Sequence, residues 1–352
     1  MFVIDDRFAD FHCVVESQTC SVYELVEAQR FHEALERIKK CPQEGSYSQQ
    51  GWTPLHLLCW IVDPMDDNQD VVVQLAEALL KAHPYQENDS ESPLDLAVIH
   101  ASEPLLECLL SATKHHPHHS RPWERAWRYL VGRALYRSQS QKIGGDGTME
   151  AFLMHLEQQL SSDLNLHRVW NNLAFLLRRS CGFDAKDPTG WLCVLACLTV
   201  PQCPPDLFRF ALMMTLETNN VVCNDAGDTP LHLLLQSTPR LRSRVTWGVG
   251  PPQLSHVDIL LGRCARMTRS CNLKSELPLH LALKCNHHDV SKPLIRADPW
   301  TVGIPDGVTG YCPFVLAVLN SNTPQDQEVV DTLYQLLEAC PEVERMKSVK
   351  AQ

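Results

Sequence analysis

The sequence lacks the short motifs by which most enzymes and nucleotide-binding proteins are recognised. It has no GxxxxGK[ST] phosphate loop, no GxSxG nucleophile turn, no HExxH zinc motif and no dinucleotide fingerprint after a strand. These absences favour a non-catalytic protein. An enzyme would need a cryptic site in the stretch 113–179, which has little strand character and no glycine-rich phosphate loop.

Positive charge is also in short supply. The chain has 31 lysines and arginines against 42 aspartates and glutamates, a formal net charge of −11. An acidic chain has no general attraction to a phosphate backbone, so binding to nucleic acid would require a local basic face. No apolar run is long enough to span a bilayer, and the longest lies around 191–200. We therefore expect no membrane partner.

A secretory leader and a disulfide framework are likewise not expected. The first seven residues have neither a positive n-region nor a long apolar core. The fifteen cysteines are odd in number and scattered along 352 residues. Without a leader they are typical of reduced, mostly buried thiols in a cytoplasmic or nuclear protein. We expect no cofactor, no metal and no small-molecule substrate.

What the sequence does contain is an internal repeat. Its copies begin at Gly51-Trp-Thr-Pro-Leu-His-Leu, Glu91-Ser-Pro-Leu-Asp-Leu and Gly227-Asp-Thr-Pro-Leu-His-Leu, with later copies at 276–282 and 310–317 and a degenerate one at 190–197. Measured at the proline position, neighbouring copies lie 39, 37, 48 and 35 residues apart, apart from the interval between 93 and 193, where the motif is missing. Periods of this length indicate stacked supersecondary units.

Each copy begins with residues that start a helix. Thr53, Ser92 and Thr229 occupy the N-cap position, where a side-chain oxygen can bond to the free amides of the first turn. A proline follows each of them at the first helical position. The next residues are almost wholly apolar, which predicts a short buried helix. A second, amphipathic helix follows, for example at 71–80, 256–261 and 328–337.

These units resemble ankyrin repeats, whose consensus contains T-P-L-H-x-A. Residues 53–56 and 229–232 match the first four letters, and 278–282 match all but the threonine. The spacers exceed the usual length, and three residues replace the histidine: Asp95, Leu195 and Val315. The resemblance implies an all-α solenoid of stacked helix-turn-helix repeats. It also implies that the motif histidine links neighbouring turns by hydrogen bonds.

Between 110 and 190 the motif disappears, although helical stretches remain at 121–138, 148–160 and 165–180. A helix pair at 21–40 is expected to cap the front of the array. The predicted organisation has four parts: 1–46 as N-terminal region and helical cap, 47–112 as ankyrin-like repeats, 113–189 as divergent helical repeats or an insertion, and 190–352 as ankyrin-like repeats with a C-terminal cap.

The expected function is a protein-interaction scaffold or adaptor. The resemblance implies that a protein partner binds the concave side, made of hairpin tips and the exposed edge of each first helix. Because many tip residues are acidic, a basic protein segment is the ligand expected on electrostatic grounds. The tip positions give these contact residues: Tyr47, Gln49, Asn88, Asp89, Asp225, Asp228, Lys274, Glu276, Asp306 and Thr309.

One basic segment stands apart from the repeats. Residues 121–137 hold five arginines, one glutamate and four large aromatic residues. Arginine and aromatic side chains dominate interface hot spots, so Arg125 and Arg128 are predicted partner contacts. The same pattern could stack nucleobases, which would make the chain a nucleic-acid-associated protein. It is also compatible with aromatic rings that pack on neighbouring repeats beneath a solvated arginine face.

Other clusters have a chemical and a structural interpretation. His56 and Cys59, one helical turn apart, could form a thiolate and its base, but the repeat explains both as packing and hydrogen-bonding residues. Residues 115–119 contain four histidines without the second cluster that a closed zinc site uses, which favours a polar loop. Cys193, Cys197 and Cys203 follow a buried-helix pattern.

Overall fold

A computed structural model shows where these predicted helices lie. It describes residues 20–62, 68–83, 92–113, 122–140, 149–183, 187, 189–200, 203–216, 221–236, 256–320 and 327–340. The chain divides into two compact units. Unit 1 comprises Met1–Tyr129 with His167–Asn172, and unit 2 comprises Leu130–Leu166 with Leu173–Gln352.

Unit 1 contains three successive helix pairs. Their helices are α1 (Val22–Glu27), α2 (Phe31–Lys40), α3 (Pro54–Ile61), α4 (Gln69–Ala82), α5 (Pro93–His100) and α6 (Glu103–Thr113). The first helices of the pairs pack in one row, α1 on α3 on α5, and the second helices in another, α2 on α4 on α6. Two parallel rows of this kind are the stacking pattern of a helical repeat array.

Unit 2 repeats the pattern with four pairs. The helices are α10 (Trp191–Thr199), α11 (Pro205–Met213), α12 (Pro230–Gln236), α13 (His256–Arg263), α14 (Pro278–Lys284), α15 (His288–Ala297), α16 (Pro313–Asn320) and α17 (Gln327–Ala339). Helices α10, α12, α14 and α16 form one row, and α11, α13, α15 and α17 form the second. Leucines such as Leu234, Leu260 and Leu283, all fully buried, form the core of the unit.

Three longer helices occupy the segment without the motif. They are α7 (Pro122–Ser140), α8 (Met149–Ser162) and α9 (Leu164–Ser180), close to the predicted stretches. Within unit 1, the amide of Asn172 in α9 donates to the carbonyls of Val98 and Ala101 at 3.1 and 3.0 Å. The side chain thus bonds to carbonyls that end α5. The four-part organisation of the chain remains a prediction.

The helix starts follow the local chemistry of the sequence. The hydroxyl of Ser92 accepts the amide of Asp95 at 3.2 Å, and the Asp95 carboxylate accepts the Ser92 amide at 3.1 Å. Thr229 accepts the amide of His232 at 3.4 Å. Such bonds pair the backbone amides of the first turn, which have no hydrogen-bond partner within the helix. Thr53 is the N-cap of α3, with Pro54 at the first helical position.

The predicted fold class, an all-α solenoid of stacked helix-turn-helix repeats, is confirmed for both units. Among the described residues, extended pairing is limited to an isolated antiparallel bridge between Gln49 and Trp52. Gln50 and Gly51 form its turn with φ of 53° and 85°. Two successive positive φ angles are what a two-residue hairpin requires.

Candidate functional site: the stacked hairpin tips of unit 2

Three hairpin tips of unit 2 stack directly on one another. We call residues 224–228, 272–276 and 306–311 the tip ladder. The amide of Leu273 donates to the carbonyl of Ala226 at 3.0 Å, and the amide of Gly307 donates to Ser275 at 3.2 Å. Backbone bonds between successive tips hold them at a fixed spacing.

Two glycines allow this close approach. A Cβ at Gly227, where φ is 75°, would lie 2.9 Å from the amide nitrogen of Leu273. A Cβ at Gly307 would lie 2.9 Å from the carbonyl oxygen of Lys274. Both separations are shorter than ordinary van der Waals contacts, so a side chain at either position would push the tips apart.

Buried polar side chains connect the tips from below. The amide of Asn272 donates to Asp228 at 3.0 Å and to Glu276 at 3.1 Å. The ammonium of Lys284, at the end of α14, donates to Glu276 at 2.6 Å and to Asp306 at 2.9 Å. The network therefore spans three consecutive repeats, and its carboxylates are almost fully buried.

The charges in this network stabilise one another. Burial works to raise the pKa values of Glu276 and Asp306, but hydrogen bonds, including those from Lys284, outweigh it and leave both pKa values lowered. Burial works to lower the pKa of Lys284, and its bonds with the same carboxylates leave that pKa raised. All three groups are thus held in their charged forms at neutral pH.

The motif histidines add a second connection between repeats. The Nδ1 atom of His232 accepts the amide of Thr229 at 3.2 Å, so Nε2 must carry the proton. That Nε2 lies 3.0 Å from the carbonyl of Glu276 in the next tip. His280 repeats the arrangement, with Nε2 2.9 Å from the carbonyl of Ile304. Burial lowers the pKa of both histidines, so they remain neutral.

The outer side of the tip ladder is strongly exposed. Leu273 is 77% exposed, Val308 61% and Tyr311 46%. Asp225, Lys274 and Thr309 are also exposed. These three side chains provide apolar contact area on tips whose backbones are bonded to one another. Sequence reasoning selected the polar tip residues and missed the apolar ones, although Leu273 and Val308 stand out in turns that otherwise contain small or polar residues.

Three of the predicted contact residues lie beneath the ladder surface. Asp228, Glu276 and Asp306 are 8%, 6% and 1% exposed and bond to neighbouring tips. The physical reason is the buried donors Asn272 and Lys284, which draw the carboxylates inward. Their contact with a partner stays a prediction. Their hydrogen bonds also hold neighbouring tips in position.

In unit 1 the predicted tip residues are only partly described. Tyr47 is 51% exposed and its ring lies edge-on to Tyr23, with centroids 6.4 Å apart. Gln49 pairs with Trp52 through two backbone bonds of 3.0 and 2.9 Å. Asn88 and Asp89 lie outside the described residues.

The basic helix predicted as a docking face is partly engaged inside unit 1. Arg125 bonds to the carboxylate of Asp95, the residue that replaces a motif histidine in α5. Trp123 and Trp127 are 2% and 7% exposed, so neither ring is free to stack on a nucleobase. Arg128 is exposed and lies 3.5 Å from Glu124.

The pair His56 and Cys59 and the three cysteines at 193, 197 and 203 fit structural roles. His56 is buried, and its Nδ1 accepts the amide of Thr53 at 3.2 Å. Cys59 is fully buried, and burial raises the pKa of its thiol. Hydrogen bonds with Cys193 and Cys203, together with burial, raise the pKa of the Cys197 thiol. These thiols are poor nucleophiles for that reason.

The part of the chain that the structure describes has no group of three or more His, Cys, Asp or Glu side chains placed to hold a metal ion. The histidines at 115–119 lie outside that part. No described helix is both long and apolar enough to cross a membrane.

Comparisons with known proteins add little to this geometry. No protein-family model matches the chain, and no curated protein matches it either. Among solved structures, it is similar to an ankyrin repeat protein from Leishmania major, with a TM-score of 0.35 and 13% identity over 92% of this chain and 97% of that one. A similarity this weak does not establish a family.

Proposed function

We propose that this chain is a divergent ankyrin-like repeat protein that acts as a non-catalytic scaffold in the cytoplasm or nucleus. The tip ladder is its surface for a protein partner. The main support for this proposal is the exposure of Leu273, Val308 and Tyr311 on tips whose backbones are hydrogen-bonded to one another. A surface that is already ordered loses little conformational entropy when it binds.

The ankyrin-like assignment rests on the chain's own residues. The T-P-L-H motif at 229–232 places a neutral histidine that bonds to the next tip, and His280 does the same one repeat later. A hydrogen bond from each unit to the next supports the assignment to a repeat protein whose units are stabilised by stacking on their neighbours.

The surface favours a partner segment with apolar side chains and a positive charge. Leu273 and Val308 offer apolar contact area. Beneath them, Glu276 and Asp306 bond to Lys284, and Asp228 bonds to the neutral amide of Asn272. At the surface, Asp225 and Lys274 add one charge of each sign, so the tips keep a net negative charge. A basic segment would therefore approach a region of net negative charge.

A comparative pull-down tests this function. Wild type and the variant Leu273→Asp/Val308→Asp are used as bait, and captured proteins are identified by mass spectrometry. The matched control is Leu164→Asp, because Leu164 is 88% exposed and lies in α9, away from the tips in the sequence. We expect a partner that binds wild type and the control but not the double variant. If every captured protein binds all three baits equally, the tip ladder is not the binding surface.

A further inference from the structure

The last helix pair of unit 2 exposes an apolar face of its own. Val318 and Leu319 in α16 are 47% and 61% exposed, and Val330 and Tyr334 in α17 are 45% and 69% exposed. Val330 and Tyr334 are four residues apart, so they share one side of α17. We call these four residues the end face.

In the preceding repeat, positions that match part of the end face are buried. When α14 and α16 are aligned on their first prolines, Val318 corresponds to Leu283, which is fully buried. Alignment of α15 and α17 on the prolines at 299 and 341 matches Val330 with His288, which is 8% exposed. Helices α16 and α17 cover α14 and α15, and among the described helices no further pair covers α16 and α17 in turn.

By the same alignments, Leu319 and Tyr334 correspond to Lys284 and Lys292, which are half-buried and exposed. The end face therefore matches a buried stacking position at Val318 and Val330, and at its other two positions an apolar residue replaces a lysine of the preceding repeat. Exposed apolar side chains on a packed helix pair offer an interaction surface. In the preceding repeat, the positions that match Val318 and Val330 are covered by helices.

The charge around the end face indicates the kind of partner. Residues 313–340 contain four acidic residues and no lysine, arginine or histidine. Asp331 and Glu338 are exposed on α17. A second copy of this chain that met the face symmetrically would bring the same acidic residues together. Opposite charge on the partner avoids that repulsion.

We propose that the end face docks an amphipathic helix of another protein, with apolar residues at i, i+3 or i+4 and i+7 and with lysine or arginine on its flanks. This is the helix-in-groove mode of recognition. The thirteen residues of α17 correspond to about 20 Å of helix, so a partner helix of about 14 residues covers the face. The docking does not depend on the tip ladder.

Two synthetic helical peptides test the proposal by fluorescence anisotropy with the full chain. Both carry leucines at the stated spacing, one with lysines and the other with glutamates at the remaining positions. We expect the lysine peptide to bind at least about tenfold more tightly than the glutamate peptide, because it complements the acidic rim. The variant Leu319→Gln/Val330→Gln should weaken it about tenfold, since it removes apolar contact area.

Two further variants separate charge from other surfaces. Asp331→Lys/Glu338→Lys should reverse the preference between the peptides. Leu273→Gln should leave both affinities unchanged, because it alters only the tip ladder. Binding at the tip ladder and binding at the end face are therefore tested independently, and either can fail while the other holds. The substituted side chains at the end face are all exposed, and circular dichroism checks that each variant keeps its helix content.

Four results would overturn the proposal. Equal affinity for the two peptides, or no effect of Leu319→Gln/Val330→Gln, would mean that the face is not a docking site for a basic helix. A wild-type dimer that this double variant dissociates would identify a second copy as the occupant. Peptide binding that appears only in Met346→Asp would show that residues 341–352 of the chain already occupy the face.

Discussion

Replacement of Lys284 by methionine should destabilise unit 2 through the charges it leaves behind. The ammonium lies 2.6 Å from Glu276 and 2.9 Å from Asp306, whose side chains are 8% and 0% exposed. Methionine fills a similar volume but leaves two buried carboxylates without a cation. Removal of one partner from a buried ion pair costs about 3–5 kcal/mol. Because the Lys284 side chain is 22% exposed, we expect about 2–4 kcal/mol.

The destabilisation caused by Lys284→Met should depend on pH. In wild type the pKa values of Glu276 and Asp306 are lowered from 4.5 and 3.8. The stability they provide is complete above those ordinary values and is lost as pH falls through the lowered ones. In Lys284→Met, burial is no longer opposed by the lysine, so protonation of the carboxylates relieves the cost. The difference in stability between the two proteins should therefore shrink below about pH 4.5.

Urea denaturation at neutral and at acidic pH measures both effects, and hydrogen exchange shows whether α14 and α16 lose the most protection. The matched control is Lys274→Met, because Lys274 lies at an exposed tip ten residues away. The control should change the free energy of unfolding by less than about 0.5 kcal/mol. If Lys284→Met is equally mild, or if its cost grows on acidification, the buried network does not hold the tips in the way described.

Two more substitutions or modifications follow from the same geometry. Gly307→Ala should destabilise unit 2 by about 1–3 kcal/mol, because its Cβ would crowd Ser275 in the preceding tip. Gly303→Ala meets no atom within 4 Å and should leave the free energy of unfolding nearly unchanged in the same denaturation assay. In native thiol labelling the exposed Cys271 should react and the buried Cys59 only after unfolding; stoichiometric labelling of Cys59 in the native protein would contradict its burial and raised pKa.

Helix starts and the repeat itself could be predicted from the sequence because both depend on neighbouring residues. An N-cap hydroxyl followed by proline sets a helix start within four residues, and Ser92 and Thr229 make the expected bonds. The long helices of the middle segment were likewise predicted to within a few residues. The predicted stretch 165–180 corresponds to α9 at Leu164–Ser180.

The orientation of the tip side chains could not be predicted in the same way. Asp225 and Asp228 both stand in one turn, yet the first is exposed and the second bonds to Asn272, 44 residues later. Arg125 and Asp95 are 30 residues apart and meet only when α7 packs near α5.

That this chain forms helix pairs, and where each helix begins, follows from residues close together in the sequence, because capping and periodicity act over a few residues. Which charges are buried and which apolar side chains stay exposed depends on how the helices and tips pack together. The fate of Glu276 depends on Lys284 and Asn272 together, and that of Val318 on whether another helix pair packs against it. Those contacts form between elements, and no short stretch of sequence encodes them.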